Sequence, residues 1–150
     1  MRVKTHSEEE TKQLGRALGE KLGSGDVVCL YGELGAGKTV FVKGIAAALG
    51  IAEREIASAS FIIIAEHHDG TIPLYHIDLY RISPGEVCEL GLHDYLSMSS
   101  GISVIEWAER AEEELPDMAV QVRFFYTGQM EREIEIQGIE SSLLFIKGTV

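Results

Sequence analysis

The chain has 150 residues, 45% hydrophobic and 25% charged, the balance of a globular chain built around one core. Its net charge is −11 and its 13 basic residues are scattered, which argues against autonomous nucleic-acid binding, where Lys and Arg must neutralise phosphates. No apolar run is long enough to cross a bilayer, and MRVKTHSEEE lacks a signal peptide's apolar core, so no membrane role and a cytoplasmic location are expected.

In chain order, Ser7 opens a capping box with Glu10, and Leu14, Ala17, Leu18 and Leu22 follow at helical spacing. The run 23–26, Gly-Ser-Gly-Asp, ends that helix, and the apolar run 27–31 suits a buried central strand. A glycine-rich loop follows, then a helix to Leu49 with Gly50 as its C-terminal cap. Residues 61–67 and 71–79 read as two strands joined by His68-Asp69-Gly70, an antiparallel hairpin. Ser83-Pro84 begins a short helix, 102–106 is another apolar strand, and 108–115 is a charged helix stopped by Pro116. The tail alternates at Val120, Val122, Phe124 and Tyr126, then Ile134 and Ile136, then Leu144 and Ile146, three strands of a meander with Gly128 and Gly138 near the turns. Cys29 and Cys88 lack metal-ligand spacing and read as reduced core thiols.

The glycine-rich stretch is LYGELGAGKTVFVKG, and Gly32 to Thr39 fit G-x-x-x-x-G-K-S/T without a mismatch. That pattern cradles nucleotide phosphates, and its context, strand before and helix after, is the one its chemistry requires. Backbone N–H groups of Gly35, Ala36, Gly37, Lys38 and Thr39 can then face the β-phosphate from a helix N-terminus. The Lys38 charge would reach the β- and γ-phosphates, and the Thr39 hydroxyl would ligate Mg²⁺. Carboxylates to hold Mg²⁺ and orient water are expected at strand ends, and Asp78 and Glu106 each close an apolar run. Taken singly each is an ordinary strand-end charge; together with the loop they form a candidate catalytic set. Trp107, the only tryptophan, would pack the core or wall off the γ-phosphate site. His76 alternates with Asp78, so it either orients that carboxylate or fills a structural role.

The sequence holds no asparagine, hence no Asn-Lys-x-Asp guanine loop, and no Asp-x-x-Gly switch, which favours ATP over GTP. Its seven arginines are unclustered, so no arginine-rich kinase lid is visible. The expected fold is α/β, a P-loop NTPase-like three-layer fold with a mixed parallel/antiparallel sheet, the phosphate loop after its first strand and C-terminal antiparallel strands. Residues 1–150 are expected to form a single P-loop ATPase domain.

Three segments, GELGAGKT, YHIDLYRISPGEVCELGLHDYL and VIEW, resemble the TsaE (YjeE) family of bacteria, and the stretch 75–96 is the most specific of them. The resemblance extends from the N-terminal helix to about Ile136. It implies an ATPase, with ATP and Mg²⁺, that serves threonylcarbamoyladenosine synthesis in tRNA by resetting a TsaB–TsaD heterodimer between turnovers. It implies Lys38 and the backbone from Gly35 to Val40 on the phosphates, Thr39 and Glu106 on Mg²⁺, and Asp78 near the γ-phosphate and attacking water. Trp107 would line the site and Arg132 approach the nucleotide. Two departures stand out. Val40 replaces a second hydroxyl residue after the loop threonine, and Ser58-Ala59-Ser60 replaces a Ser-Pro-Thr segment. Ser60 keeps a hydroxyl for the γ-phosphate, while Ala59 frees a φ that proline would fix, predicting a more mobile loop. Two alternatives remain on sequence alone: a small-molecule P-loop kinase, and a nucleotide-sensing regulatory module.

Overall fold

The structure, a computed structural model, describes residues 1–33, 35, 37–56, 63–97 and 100–138. Seven strands form one sheet in the order β1-β7-β6-β2-β5-β4-β3. They are β1 (Arg2–Thr5), β2 (Val27–Tyr31), β3 (Ile64–His67), β4 (Leu74–Asp78), β5 (Ile102–Glu106), β6 (Val120–Tyr126) and β7 (Arg132–Gln137). The four central strands β6, β2, β5 and β4 are parallel, whereas β3 on β4, β7 on β6 and β1 on β7 are antiparallel. The expected mixed sheet with antiparallel C-terminal strands is therefore present.

Alternation along β2 explains the layers. Val28 and Leu30 face helices α1 (Glu8–Gly19) and α2 (Lys38–Ala48), meeting Leu14, Leu18, Phe41 and Ile45 in one buried cluster. Val27 and Cys29 face the other way, toward Ile77, Leu79 and Ile105 and the short helical segments. Those segments are a 3-10 helix at Pro84–Leu90, the short α3 (Leu92–Ser97) and a 3-10 helix at Ala108–Glu114. Burying two opposite faces of one strand demands the near-continuous apolar run that β2 has.

The helices α1 and α2 touch backbone to backbone. A Cβ on Gly44 would lie 2.0 Å from the Lys12 carbonyl oxygen, and one on Gly15 would lie 2.2 Å from that of Phe41. Ser7 caps α1 by accepting from the Glu10 N–H at 3.1 Å, as the capping box predicts.

Four details differ from expectation. The phosphate loop follows the second strand, because Arg2-Val3-Lys4-Thr5 forms an edge strand too short to register as a pattern. β4 begins at Leu74 rather than at residue 71, since Pro73 cannot donate to a ladder. The loop before it is longer than an Asp-Gly turn and docks on the end of α2, Thr71 N–H donating to Leu49 O at 2.8 Å. The charged segment after Trp107 is a 3-10 helix with a kink at Ala111 (φ −126°). Cys29 is buried, which pushes its thiol up to about 12, but Cys88 is exposed and no core residue. The expected mobile segment with Ser60, and the third tail strand at Leu144 and Ile146, lie outside the described residues.

Candidate nucleotide site

The loop between β2 and α2 is shaped by glycines. Gly37 is the residue just before α2 and has φ 100°, a left-handed conformation that a side chain would strain. No side chain caps this helix, and its first turn carries no acidic residue, in contrast to Ser7 and the three glutamates of α1. The opening of α2 therefore presents N–H groups that no capping side chain satisfies and a positive dipole end, a ready anion site. Gly35 has φ 79°, and a Cβ there would meet the Tyr126 hydroxyl at 2.9 Å. Ala36 lies outside the described residues.

Lys38 is 4% exposed. Its ammonium donates to the carbonyls of Gly32 and Glu33, the latter at 3.0 Å, and stands 4.1 Å from the centroid of the Trp107 ring. Burial lowers its pKa, opposed by Glu106, Glu109 and Asp78. The charge is thus held against its own loop by weak neutral acceptors, a geometry that an anion in the loop would outcompete.

Two parallel strands bring the carboxylates together. Asp78 and Glu106 are register partners at the ends of β4 and β5, and Glu106 also pairs with Leu30 of β2, just before the loop. Thr39 Oγ1 donates to Glu106 Oε1 at 3.3 Å. Asp78 Oδ1 accepts from the Tyr80 N–H at 3.0 Å, while its Oδ2 is buried without a partner among the described residues. Burial, and then the neighbouring Glu106, push the Asp78 carboxyl above its usual range. His76 sits on the same face as Asp78, but the side chain it grips is Glu106, Nε2 to Oε2 at 2.6 Å.

Trp107 follows Glu106 with φ 58°, the one non-glycine residue in the left-handed region among those described. Strain of that kind costs roughly 1–3 kcal/mol and gathers at functional sites. The turn aims the indole over Lys38, with the Tyr80 ring 5.2 Å from it. Arg132 comes from the far side: Nη2 donates to Gly35 O at 3.3 Å, and the guanidinium lies 4.2 Å over the Tyr126 ring.

These groups enclose a cleft of about 380 Å³. Its walls include Gly35, Gly37, Lys38, Thr39 and Val40 of the loop and α2, together with Glu106, Trp107, Met130 and Arg132. Ser7, the cap of α1, and Glu8 and Thr11 within that helix complete it. The sequence marks none of those three nor Met130 as a site residue; Ser7 carries only a capping signal with Glu10, and contact between α1 and the loop is a tertiary fact. Asp78 stands beside Glu106 on the neighbouring strand and is not among the residues that line this cleft.

A glycine loop opening a helix, with carboxylates at the ends of neighbouring parallel strands, defines an α/β protein of the P-loop NTPase-like class. The chain belongs to the TsaE family: the family model described as threonylcarbamoyl adenosine biosynthesis protein TsaE matches residues 5–134. The tRNA threonylcarbamoyladenosine biosynthesis protein TsaE of Bacillus subtilis (strain 168) is 41% identical over 139 residues, 93% of this chain and 86% of that one. The protein of the same name from Nostoc sp. (strain PCC 7120) is 44% identical over 131 residues, 85% and 80% of the two chains. The crystal structure of Bacillus subtilis YdiB superposes with a TM-score of 0.78 at 38% identity, covering 95% of this chain and 88% of that one.

Proposed function

We propose that the chain binds ATP with Mg²⁺ in this cleft and hydrolyses it in support of tRNA threonylcarbamoyladenosine synthesis, acting on a TsaB–TsaD complex to ready it for another round. The observation that carries the reading is the Thr39 hydroxyl facing the Glu106 carboxylate at 3.3 Å, one residue after the loop lysine. The residues suit both ligands. A hydroxyl and a carboxylate are hard oxygen donors of the kind Mg²⁺ takes, and the uncapped start of α2 suits phosphate. The orphaned Asp78 Oδ2 is an acceptor in want of a donor.

In this reading, Lys38 leaves the Gly32 and Glu33 carbonyls for the phosphate oxygens. Thr39 and Glu106 hold the cation, which when bound would neutralise charge on the β- and γ-phosphates. Asp78 accepts from the water that attacks the γ-phosphorus and helps orient it. Trp107 excludes bulk water from that end. Arg132 sits where its guanidinium can turn from Gly35 O toward the phosphates, and Val40 contributes its backbone N–H. The base end then falls beside Ser7, Glu8, Thr11 and Met130. The site of action follows the tRNA-modifying partner, the cytoplasm.

Release of phosphate from ATP by the purified chain, alone and with TsaB–TsaD, tests this. Slow turnover alone, stimulation by the pair and loss in Lys38→Ala are the expected results. Phosphorylation of a nucleoside or sugar instead of water would replace the reading with a small-molecule kinase. ATP binding without any turnover in the complex would leave a nucleotide sensor.

A further inference from the structure

Glu106 has a partner that the reading above leaves without a task. His76 and Glu106 are 5% and 3% exposed, and their 2.6 Å contact is one of the shortest polar contacts around the loop. The sheet makes it possible. His76 pairs in register with Val104, and Asp78 with Glu106, so the imidazole reaches Glu106 diagonally from one pleat deeper in the sheet. Thr39 meets the same carboxylate from α2.

Glu106 needs such an anchor. It stands beside Asp78, and two neighbouring carboxylates repel. The Thr39 hydroxyl alone, at 3.3 and 3.5 Å from the two oxygens, holds it loosely. Carboxylates that bind metals are themselves fixed by hydrogen bonds behind them, and removing that support costs about 10–100-fold in metal affinity.

We infer that His76 is a positioning residue, whose Nε2 holds Glu106 Oε2 so that the carboxylate stays turned toward Thr39 and a cation bound between them. This rests on the nucleotide-and-cation reading above. The test compares His76→Leu, which removes the donor, with His76→Gln, whose side-chain NH₂ can stand near Nε2. ADP affinity is measured by calorimetry in Mg²⁺ and in EDTA, with thermal unfolding alongside.

Leucine should leave metal-free ADP affinity within about twofold while weakening the response to Mg²⁺ by roughly 10–100-fold. Glutamine should restore most of that response. In a Glu106→Gln background, His76→Leu should add no further loss. A folded His76→Leu protein with the wild-type Mg²⁺ response overturns the inference, as does a glutamine variant no better than leucine. If leucine does not fold, His76→Gln and His76→Asn decide: asparagine, too short to place its amide near Nε2, must lose the Mg²⁺ response that glutamine keeps. A wild-type protein that binds ADP identically with and without Mg²⁺ overturns the underlying reading and this inference with it, and is recognised because no variant is then needed. A wild-type Mg²⁺ response with unaffected His76 variants overturns the inference alone.

Discussion

Asp78 illustrates what a buried carboxylate costs a fold. One oxygen is satisfied by Tyr80 and the other is buried without a partner. Burial, and then Glu106, raise its pKa above the ordinary 3.8, so the folded state holds its proton more tightly than the unfolded chain does. Stability from this group is complete below pH 3.8 and is lost as pH rises through the raised value. Without nucleotide, Asp78→Asn should therefore be more stable than wild type to urea at pH 7, with the gap closing as the pH approaches 3.8. A variant less stable at pH 7 would contradict this. Its ATP turnover should fall by about 10²-fold or more, if the carboxylate orients water. Val40 stands directly after Thr39, at the start of α2. It lines the cleft, and Val40→Thr adds a hydroxyl at the start of α2, so ADP should bind about 2–10-fold tighter by calorimetry, the worth of one hydrogen bond. The loop residues, Asp78 and Glu106 were legible in the sequence because a contiguous motif and two strand ends carry them. The grip of His76 on Glu106 was not, since the register of β4 on β5 decides it and neither strand encodes that register alone.

The close approach of α1 and α2 fixes where the loop sits. Gly44→Ala would gain about 1 kcal/mol of helix propensity, but its methyl would collide with the Lys12 carbonyl, a backbone atom that cannot step aside cheaply. The net effect should be destabilisation by roughly 1–3 kcal/mol in denaturant unfolding, with weaker nucleotide binding because Ser7, Glu8 and Thr11 shift with α1. An unchanged midpoint would mean that the helices separate freely. α1 could be read from the sequence because many residues vote for one helical period, and β2 because its apolar run is unbroken. β1 could not, with four residues on a sheet edge. The segment after Trp107 reads as a regular helix in the sequence, yet it is a 3-10 helix broken at Ala111, a backbone detail absent from its composition.

At the scale of the molecule, the sheet separates two jobs. The face toward α1 and α2 carries His76, Asp78 and Glu106, with Lys38 and Thr39 supplied by α2 itself, while the opposite face carries a second apolar cluster under the 3-10 segments. Every group assigned to the chemistry converges on the carboxyl ends of the parallel strands, the usual place for ligands in such sheets. No helix among the described residues is long and apolar enough to cross a membrane. The net charge of −11 argues against phosphate contacts to tRNA made by the chain on its own.

In the proposed function, ATP hydrolysis with Glu106 holding the cation serves repeated rounds of tRNA modification. The direct measurement is threonylcarbamoyladenosine formed per TsaB–TsaD complex over time, with wild-type chain or with Glu106→Gln. The wild-type reaction should continue through many rounds, and the variant, still binding ATP, should stop near one product per complex. A variant that sustains many rounds at the wild-type rate would contradict the claim.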